Sequence, residues 1–176
     1  MPHTHPHPEF IHLPVPGAPG WWSWDFKREG LFNELLGPLQ VCKTDDGRAL
    51  VRMTPQERHS NLGDVMHGGA LLGFIDISLF AGARVHGVEM VGRSVTVELQ
   101  TQFIGAAVIG QPIDAEVELL RETRRLVFLR GTVHQHADHQ HTGHQHTGHQ
   151  YAGAHLVASF SGIIRKSSRE TEMPAK

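Results

Sequence analysis

The chain has a single cysteine, Cys42, so no internal disulfide framework is possible. One thiol without an evident neighbouring base reads as structural rather than nucleophilic, and it fits a reducing compartment. Charge of one sign is also missing. Lys and Arg total 16 against 18 Asp and Glu, a net charge of −2 with His neutral. No block of like charge occurs, so nothing draws the chain toward nucleic acid. The first residues lack a basic region followed by an apolar run, and no secretory signal is expected. Gly, Asp and Ser interrupt the longest apolar stretch, so no membrane span is expected either. These absences describe a soluble cytoplasmic protein, and 176 residues suffice for one domain with a sizeable core.

The stretch from Asn61 to Ser94 stands out among what is present. Between Ala70 and Val85, Leu71, Leu72, Phe74, Ile75, Ile77, Leu79, Phe80 and Val85 cover every side of a helical wheel. A helix of that kind is buried on most faces. It carries one acid, Asp76, and a carboxylate there is costly unless it is paired or used. The entry to the helix is His67-Gly68-Gly69. Two glycines let another group approach the backbone. The first N–H groups of a helix have no partner within it and can bind an anion or a developing oxyanion. From Gly68 to Asp76 is roughly 12 Å along a helix axis, too far for one carbonyl to meet both. If the two cooperate, the acid of one subunit faces the helix start of another, which implies a homodimer with shared sites. The plainer alternative is that Asp76 pairs with a buried Arg or a helix end, and that the glycines serve only close packing.

Around this stretch the chain reads as follows. Residues 1–24 are a Pro/His-rich arm and a Trp cluster (Trp21, Trp22, Trp24), expected to be partly disordered, with five prolines among the first sixteen residues. His3, His5 and His7 alternate with prolines and form a poor preformed metal site. Asp25 to Leu36 reads as a short helix with Phe32, Leu35 and Leu36 on one face, ended by Gly37-Pro38. Leu39–Val41 and Ala49–Met53 read as strands around the turn Thr44-Asp45-Asp46-Gly47. Beyond the central helix the period becomes two. Val95, Val97, Leu99 and Thr101 predict the buried face of one strand, and Ile113, Ala115, Val117 and Leu119 that of the next. Leu126–Val133 and Leu156–Ile164 complete a meander of four strands. The expected fold is α+β, a long central helix wrapped by an antiparallel β-sheet of five to six strands. One domain spans 25–165, and 166–176 is a flexible tail.

Between the last two strands, 134–152 is a His-rich insert with a five-residue repeat starting at His136, His141 and His146. Seven of the fifteen histidines lie in 134–149. It is expected to be a disordered hairpin extension that binds Zn²⁺ or Ni²⁺ loosely. No fixed metal site is expected, because nothing defines ligand number or support around the ligands.

Asn61, His67, Gly68, Gly69, Asp76 and Ser94 follow the pattern N-x5-H-G-G-x6-D with a Ser eighteen residues past the Asp. With the strand Val95–Phe103, the run Arg124-Arg125-Leu126-Val127-Phe128 and the closing Ala158-Ser159-Phe160, the chain resembles the hotdog-fold acyl-CoA thioesterases of the phenylacetate-pathway (PaaI-like) type. The resemblance covers roughly residues 25 to 165 without the insert. It implies hydrolysis of an acyl-CoA to free acid and CoA by a homodimer or a dimer of dimers. The amide of Gly68 or Gly69 would polarise the carbonyl. The Asn61 amide would bind the same oxygen or orient the loop. Asp76 of the partner would act as general base or nucleophile, and Ser94 would hold the water or the acid. His67 reads as fixing the loop rather than as the base. Arg124 and Arg125 would meet the CoA phosphates. No cofactor is implied beyond the CoA of the substrate, and no metal, nucleic acid or membrane partner. Two other functions fit the same residues: a hotdog acyl-thioester hydratase or dehydratase, and a non-catalytic acyl-CoA-binding module.

Overall fold

The central apolar run forms an 18-residue helix that one antiparallel sheet wraps. The computed structural model describes residues 10–90, 94–136 and 153–167. His3, His5, His7, residues 137–152 of the insert expected over 134–152 and residues 168–176 of the tail expected over 166–176 lie outside the described residues. His134, Gln135 and His136, expected in the disordered insert, are instead strand residues paired with Leu156, His155 and Ala154. In chain order the elements are β1 (Phe10–Ile11), β2 (Trp22–Phe26), α1 (Phe32–Leu36), β3 (Leu39–Lys43), β4 (Ala49–Met53), a 3-10 turn (Glu57–His59), α2 (Gly68–Val85), β5 (Val95–Phe103), β6 (Ile113–Glu122), β7 (Leu126–His136) and β8 (Ala154–Arg165). The strands lie in the order β1-β2-β3-β4-β6-β7-β8-β5, with every neighbouring pair antiparallel.

The helix is buried through Leu71, Phe74, Ile75, Ile77, Leu79, Ala81 and Ala83. Its partners on the sheet are the alternating residues Ile113, Ala115 and Val117 of β6, Val51 of β4 and Ile164 of β8, all fully buried. Contact is close because two glycines carry no side chain. A Cβ on Gly82 would stand 2.5 Å from that of Val117, and one on Gly162 would collide with the Leu79 side chain. By length and composition α2 also passes for a membrane span, at 18 residues and a mean hydropathy of 1.4, contrary to the expectation from the sequence. Here half of it is buried against the sheet and α1.

Three expectations need correction. The sheet has eight strands among the described residues, rather than five to six. The two additional strands come from residues assigned to the arm and to the first helix. Trp22 and Trp24 pair with Val41 and Leu39, and Phe10 with Phe26. Trp24 enters the main core, while Trp21 packs on Cys42 and Leu50 across the sheet. Aromatic residues suit a pleated, half-buried surface, and this preference overrides the run of prolines before them. The helix expected over Asp25 to Leu36 is only five residues long. Asp25 and Phe26 belong to β2, and Gly30 turns the chain at φ +74°. Of its three apolar residues only Leu36 is buried. Finally, Val95 and Val97 do not share the buried face of β5 with Leu99. They are 39% and 51% exposed, and the cause is a bulge described below.

The face of the sheet turned away from α2 carries a buried ion pair. Arg52 grips Asp114 with two hydrogen bonds of 2.6 and 2.7 Å, its guanidinium lies 4.3 Å from the Trp21 ring, and His136 Nε2 stands 3.4 Å from the same carboxylate. Burial alone would raise the Asp114 pKa, but the hydrogen bonds and charges of Arg52 and His136 hold it below the usual carboxylate range. The folded pKa therefore lies under the unfolded one. The stabilisation is complete above about pH 4 and is lost as pH falls through the folded value. Asp114→Asn is expected to cost about 3–5 kcal/mol at pH 7. In urea titrations between pH 7 and pH 2.5, its deficit against the native chain should shrink below about pH 4. A deficit independent of pH would contradict this.

Candidate active site

The start of α2 is built from backbone donors with assigned partners. His59 is buried. Its Nδ1 accepts from the Gln56 N–H at 2.8 Å, so the ring proton belongs on Nε2, which donates to the Leu35 carbonyl at 2.5 Å. The His59 carbonyl in turn accepts from the His67 N–H at 2.7 Å. Met66 N–H donates to the Ala107 carbonyl at 2.8 Å. The Ala107 loop is held by Gln135, a fully buried side chain that bonds Val108 N–H, the Val108 carbonyl and the Gln111 carbonyl. None of this was visible in sequence, where His59 carried no motif and Gln135 lay in the insert expected to be disordered. Only burial marks them.

His67 is the N-cap of α2, and its Nδ1 accepts from the Gly69 N–H at 2.9 Å. Of the two glycine amides offered for a carbonyl oxygen, Gly69 is thus already engaged. The Gly68 N–H makes no hydrogen bond among the described residues. A Cβ on Gly68 would sit 3.6 Å from the Phe103 ring, at the far end of β5. Asn61 turns the loop before the helix. Its Oδ1 accepts from the Gly63 N–H at 2.8 Å, and its own N–H donates to the Val65 carbonyl at 2.9 Å. A surface depression of ≈ 760 Å³ opens there, lined by Ser60, Asn61, Leu62, Gly63, Val65 and His67.

Asp76 lies two turns further along α2 and is partly buried. Thr96 Oγ1 donates to its Oδ1 at 2.6 Å. No other hydrogen bond to the carboxylate occurs among the described residues. Nor does Asp76 meet an Arg there, so the ion-pair alternative finds no support. The Ser94 hydroxyl is buried and makes no hydrogen bond among the described residues. Thr96 is the residue that sequence reading missed, since strict alternation assigned it to the solvent face.

Arg124 and Arg125 lie in the turn joining β6 and β7. Thr123 Oγ1 accepts from the N–H groups of Arg125 and Leu126, and the Lys166 N–H donates to the Arg125 carbonyl. Both side chains are exposed, with no ion-pair partner among the described residues. They share with Thr96 the end of the sheet where Arg165 lies between Leu126 and Val95. Cys42 is no nucleophile, because burial pushes its thiol up to about 12, Asp114 adding to the effect and Arg52 opposing it.

Residues 63–140 match the family model of the thioesterase superfamily. The chain is 31% identical over 102 residues to PA0474 of Pseudomonas aeruginosa, named as a candidate esterase, a match covering 57% of this chain and 75% of that protein. The chain belongs to the thioesterase superfamily. Its fold is that of the hotdog PaaI-like members. PaaI from the phenylacetic acid degradation operon of E. coli superimposes with a TM-score of 0.57 at 18% identity, covering 77% of this chain and 83% of that one. The conserved protein PA5202 of Pseudomonas aeruginosa gives 0.56 at 25% identity, covering 78% and 94%. A hypothetical thioesterase of Streptococcus pneumoniae, crystallised with coenzyme A, gives 0.58 at 13% identity, covering 77% and 91%. The segment matched by the superfamily model contains His67, Gly68, Gly69, Asp76, Ser94, Thr96, Arg124 and Arg125, and starts two residues after Asn61.

Within this superfamily member the cap makes a separable prediction. His67→Ala removes the acceptor of the Gly69 N–H and should cost about 1 kcal/mol of stability, whereas His67→Asn supplies another cap and should cost less. Thermal melts of both variants check this. An equal loss in the two would show that His67 stabilises by something other than the cap.

Proposed function

We propose that this thioesterase-superfamily chain hydrolyses acyl-CoA to free acid and CoA at a site shared by two subunits. The observation that carries the proposal is the pairing of an unengaged helix-start amide with a partly buried carboxylate at opposite ends of one edge strand. The Gly68 N–H, reinforced by the dipole of an 18-residue helix, suits an oxygen on which negative charge grows in the transition state. Asp76, with one oxygen held and the other open, suits general-base attack by water or direct attack on the carbonyl. Asn61 and Ser94 are proposed to line the same site, and His67 to fix its loop.

The geometry of β5 supports sharing. β5 is the last strand in the sheet order, with one backbone edge unpaired among the described residues. Such an edge is a template for a second chain. A two-fold axis would pair β5 antiparallel with its copy, setting the Thr96 end of one against the Phe103 end of the other. Thr96 bonds Asp76 and Phe103 flanks Gly68, so the pairing would bring Asp76 of one subunit toward Gly68 of the other. Val97, Phe103 and Ile104 supply exposed apolar surface along that edge. Arg124 and Arg125 are proposed for the CoA phosphates, since both are exposed at the Asp76 end with no ion-pair partner among the described residues.

Release of free thiol from acetyl-, hexanoyl-, lauroyl-, phenylacetyl- and hydroxybenzoyl-CoA tests the activity. Asp76→Ala and Asp76→Asn are each expected to reduce kcat at least about 100-fold while the chain stays folded and binds CoA. Unchanged turnover in both would remove Asp76 from the chemistry. Hydration of crotonyl-CoA in place of hydrolysis would move the reading to a hydratase, and binding without turnover to an acyl-CoA-binding module. Sharing is tested by mixing Gly68→Val with Asp76→Ala subunits. Each is inactive alone if the proposal holds, and mixing should restore activity because one heterodimer site is intact. Verified mixing without recovery would count against a shared site.

A further inference from the structure

The partner of Asp76 owes its place to an irregularity in β5. Val95 and Thr96 pair with Arg165 and Ile164, and pairing resumes with Glu98 against Ile163, leaving Val97 as an extra residue. Beyond it, Leu99, Thr101 and Phe103 stand opposite Gly162, Phe160 and Ala158, all core-facing residues of β8. Thr96 stands opposite the fully buried Ile164 and so shares that core-facing side. The step from Leu99 back to Thr96 is therefore three residues instead of two. A regular strand would turn Val97 and Val95 inward and send Thr96 to solvent. The bulge instead leaves two valines exposed and delivers one hydroxyl to a carboxylate. Bulges re-aim side chains in this way and are frequent beside active sites.

Helix and sheet also approach closely here. Leu79, one turn after Asp76, fills the space above Gly162, and Gly162 faces Leu99 across the ladder. A Cβ at 162 would stand 2.4 Å from Leu79 Cδ1, so Leu79 would have to move from its place against β8. The Thr96–Asp76 hydrogen bond, at 2.6 Å, involves one carboxylate oxygen only. It fixes the rotation of the carboxylate and leaves Oδ2 without a partner among the described residues.

We infer that Thr96, delivered by the bulge at Val97, is the positioning residue for Asp76, and that it, rather than Ser94, sets which carboxylate oxygen meets the substrate or the attacking water. The inference rests on the thioesterase reading above and gives a role in the reaction to a residue to which that reading assigns none. Its role is orientation, so loss of the hydroxyl should act on turnover more than on substrate binding.

The test is steady-state kinetics of the full chain with the best acyl-CoA of the panel. Thr96→Val keeps the shape and removes the donor, and Thr96→Ala serves as a second hydroxyl-free variant should the first fail to fold. Either is expected to lower kcat roughly 10- to 100-fold with KM within about twofold. Thr96→Ser should recover kcat to within about threefold of the native value, because the hydroxyl and not the methyl carries the effect. In an Asp76→Asn background, Thr96→Val should add less than about twofold, since both changes remove one interaction. Native turnover in both hydroxyl-free variants overturns the inference, as does Thr96→Ser failing as badly as Thr96→Val. A collapse confined to Ser94→Ala, with Thr96→Val active, returns the role to Ser94. A native chain that hydrolyses no thioester overturns the thioesterase reading, and this inference with it.

Discussion

A helix that is apolar on nearly every side must be covered on nearly every side, and most of this structure is the means of covering α2. The sheet supplies fully buried residues from β4, β6 and β8, and α1 seats its Phe32 ring against Gly73 on the side the sheet leaves open. The approach is closer than side chains would allow, which is why glycine stands at positions 82 and 162. Close packing of this kind tolerates little change in volume. Asp76 is an exception inside that arrangement. It is kept where an apolar residue would pack more easily, and a hydrogen bond from the sheet, rather than a counter-charge, is what meets it. Burying a carboxylate with one bond and one open oxygen makes chemical sense if that oxygen has work to do.

The same accounting of donors and acceptors distinguishes the two glycines at the helix start. A helix begins with orphan N–H groups, and each needs a partner. His67 takes that of Gly69, and its carbonyl accepts from Ala70 and Leu71. What remains unengaged among the described residues is the Gly68 amide, next in the chain to His67, which lines the depression beside Asn61. The supports for this arrangement come from distant parts of the chain: His59 links it to the end of α1, and Gln135 secures the loop that holds Met66. The start of the helix is thus held by hydrogen bonds of the chain itself, which is the condition that electrostatic stabilisation of a transition state at the proposed site requires.

Local pattern carried a large part of this protein. The run of apolar residues from Ala70 to Val85, too long for a strand and apolar on every side, specified α2, and the HGG motif marked its start. Alternation specified β6 through Ile113, Ala115 and Val117, and the turn from Thr44 to Gly47 separated β3 from β4 as expected. These features depend on periodicity and turn chemistry within a dozen residues, so a single sequence contains them. His67, Gly68, Gly69 and Asp76 stood out for the same reason, whereas Asn61 and Ser94 were named through the resemblance to the PaaI-like family.

Tertiary structure alone decided the rest. Trp22 and Trp24 became strand residues because Val41 and Leu39 offered an edge to pair with, and nothing in the proline-rich arm before them announces that partner. Asp114 could be buried only because Arg52 and His136, far apart in sequence, converge on it. Above all, the choice of Thr96 over Val95 and Val97 as the residue turned toward Asp76 depends on Val97 being one residue too many against β8. A register shift is a property of two strands together. Because side chains alternate with a period of two, a single extra residue reverses which of them face the helix, and the composition of β5 by itself is compatible with either outcome.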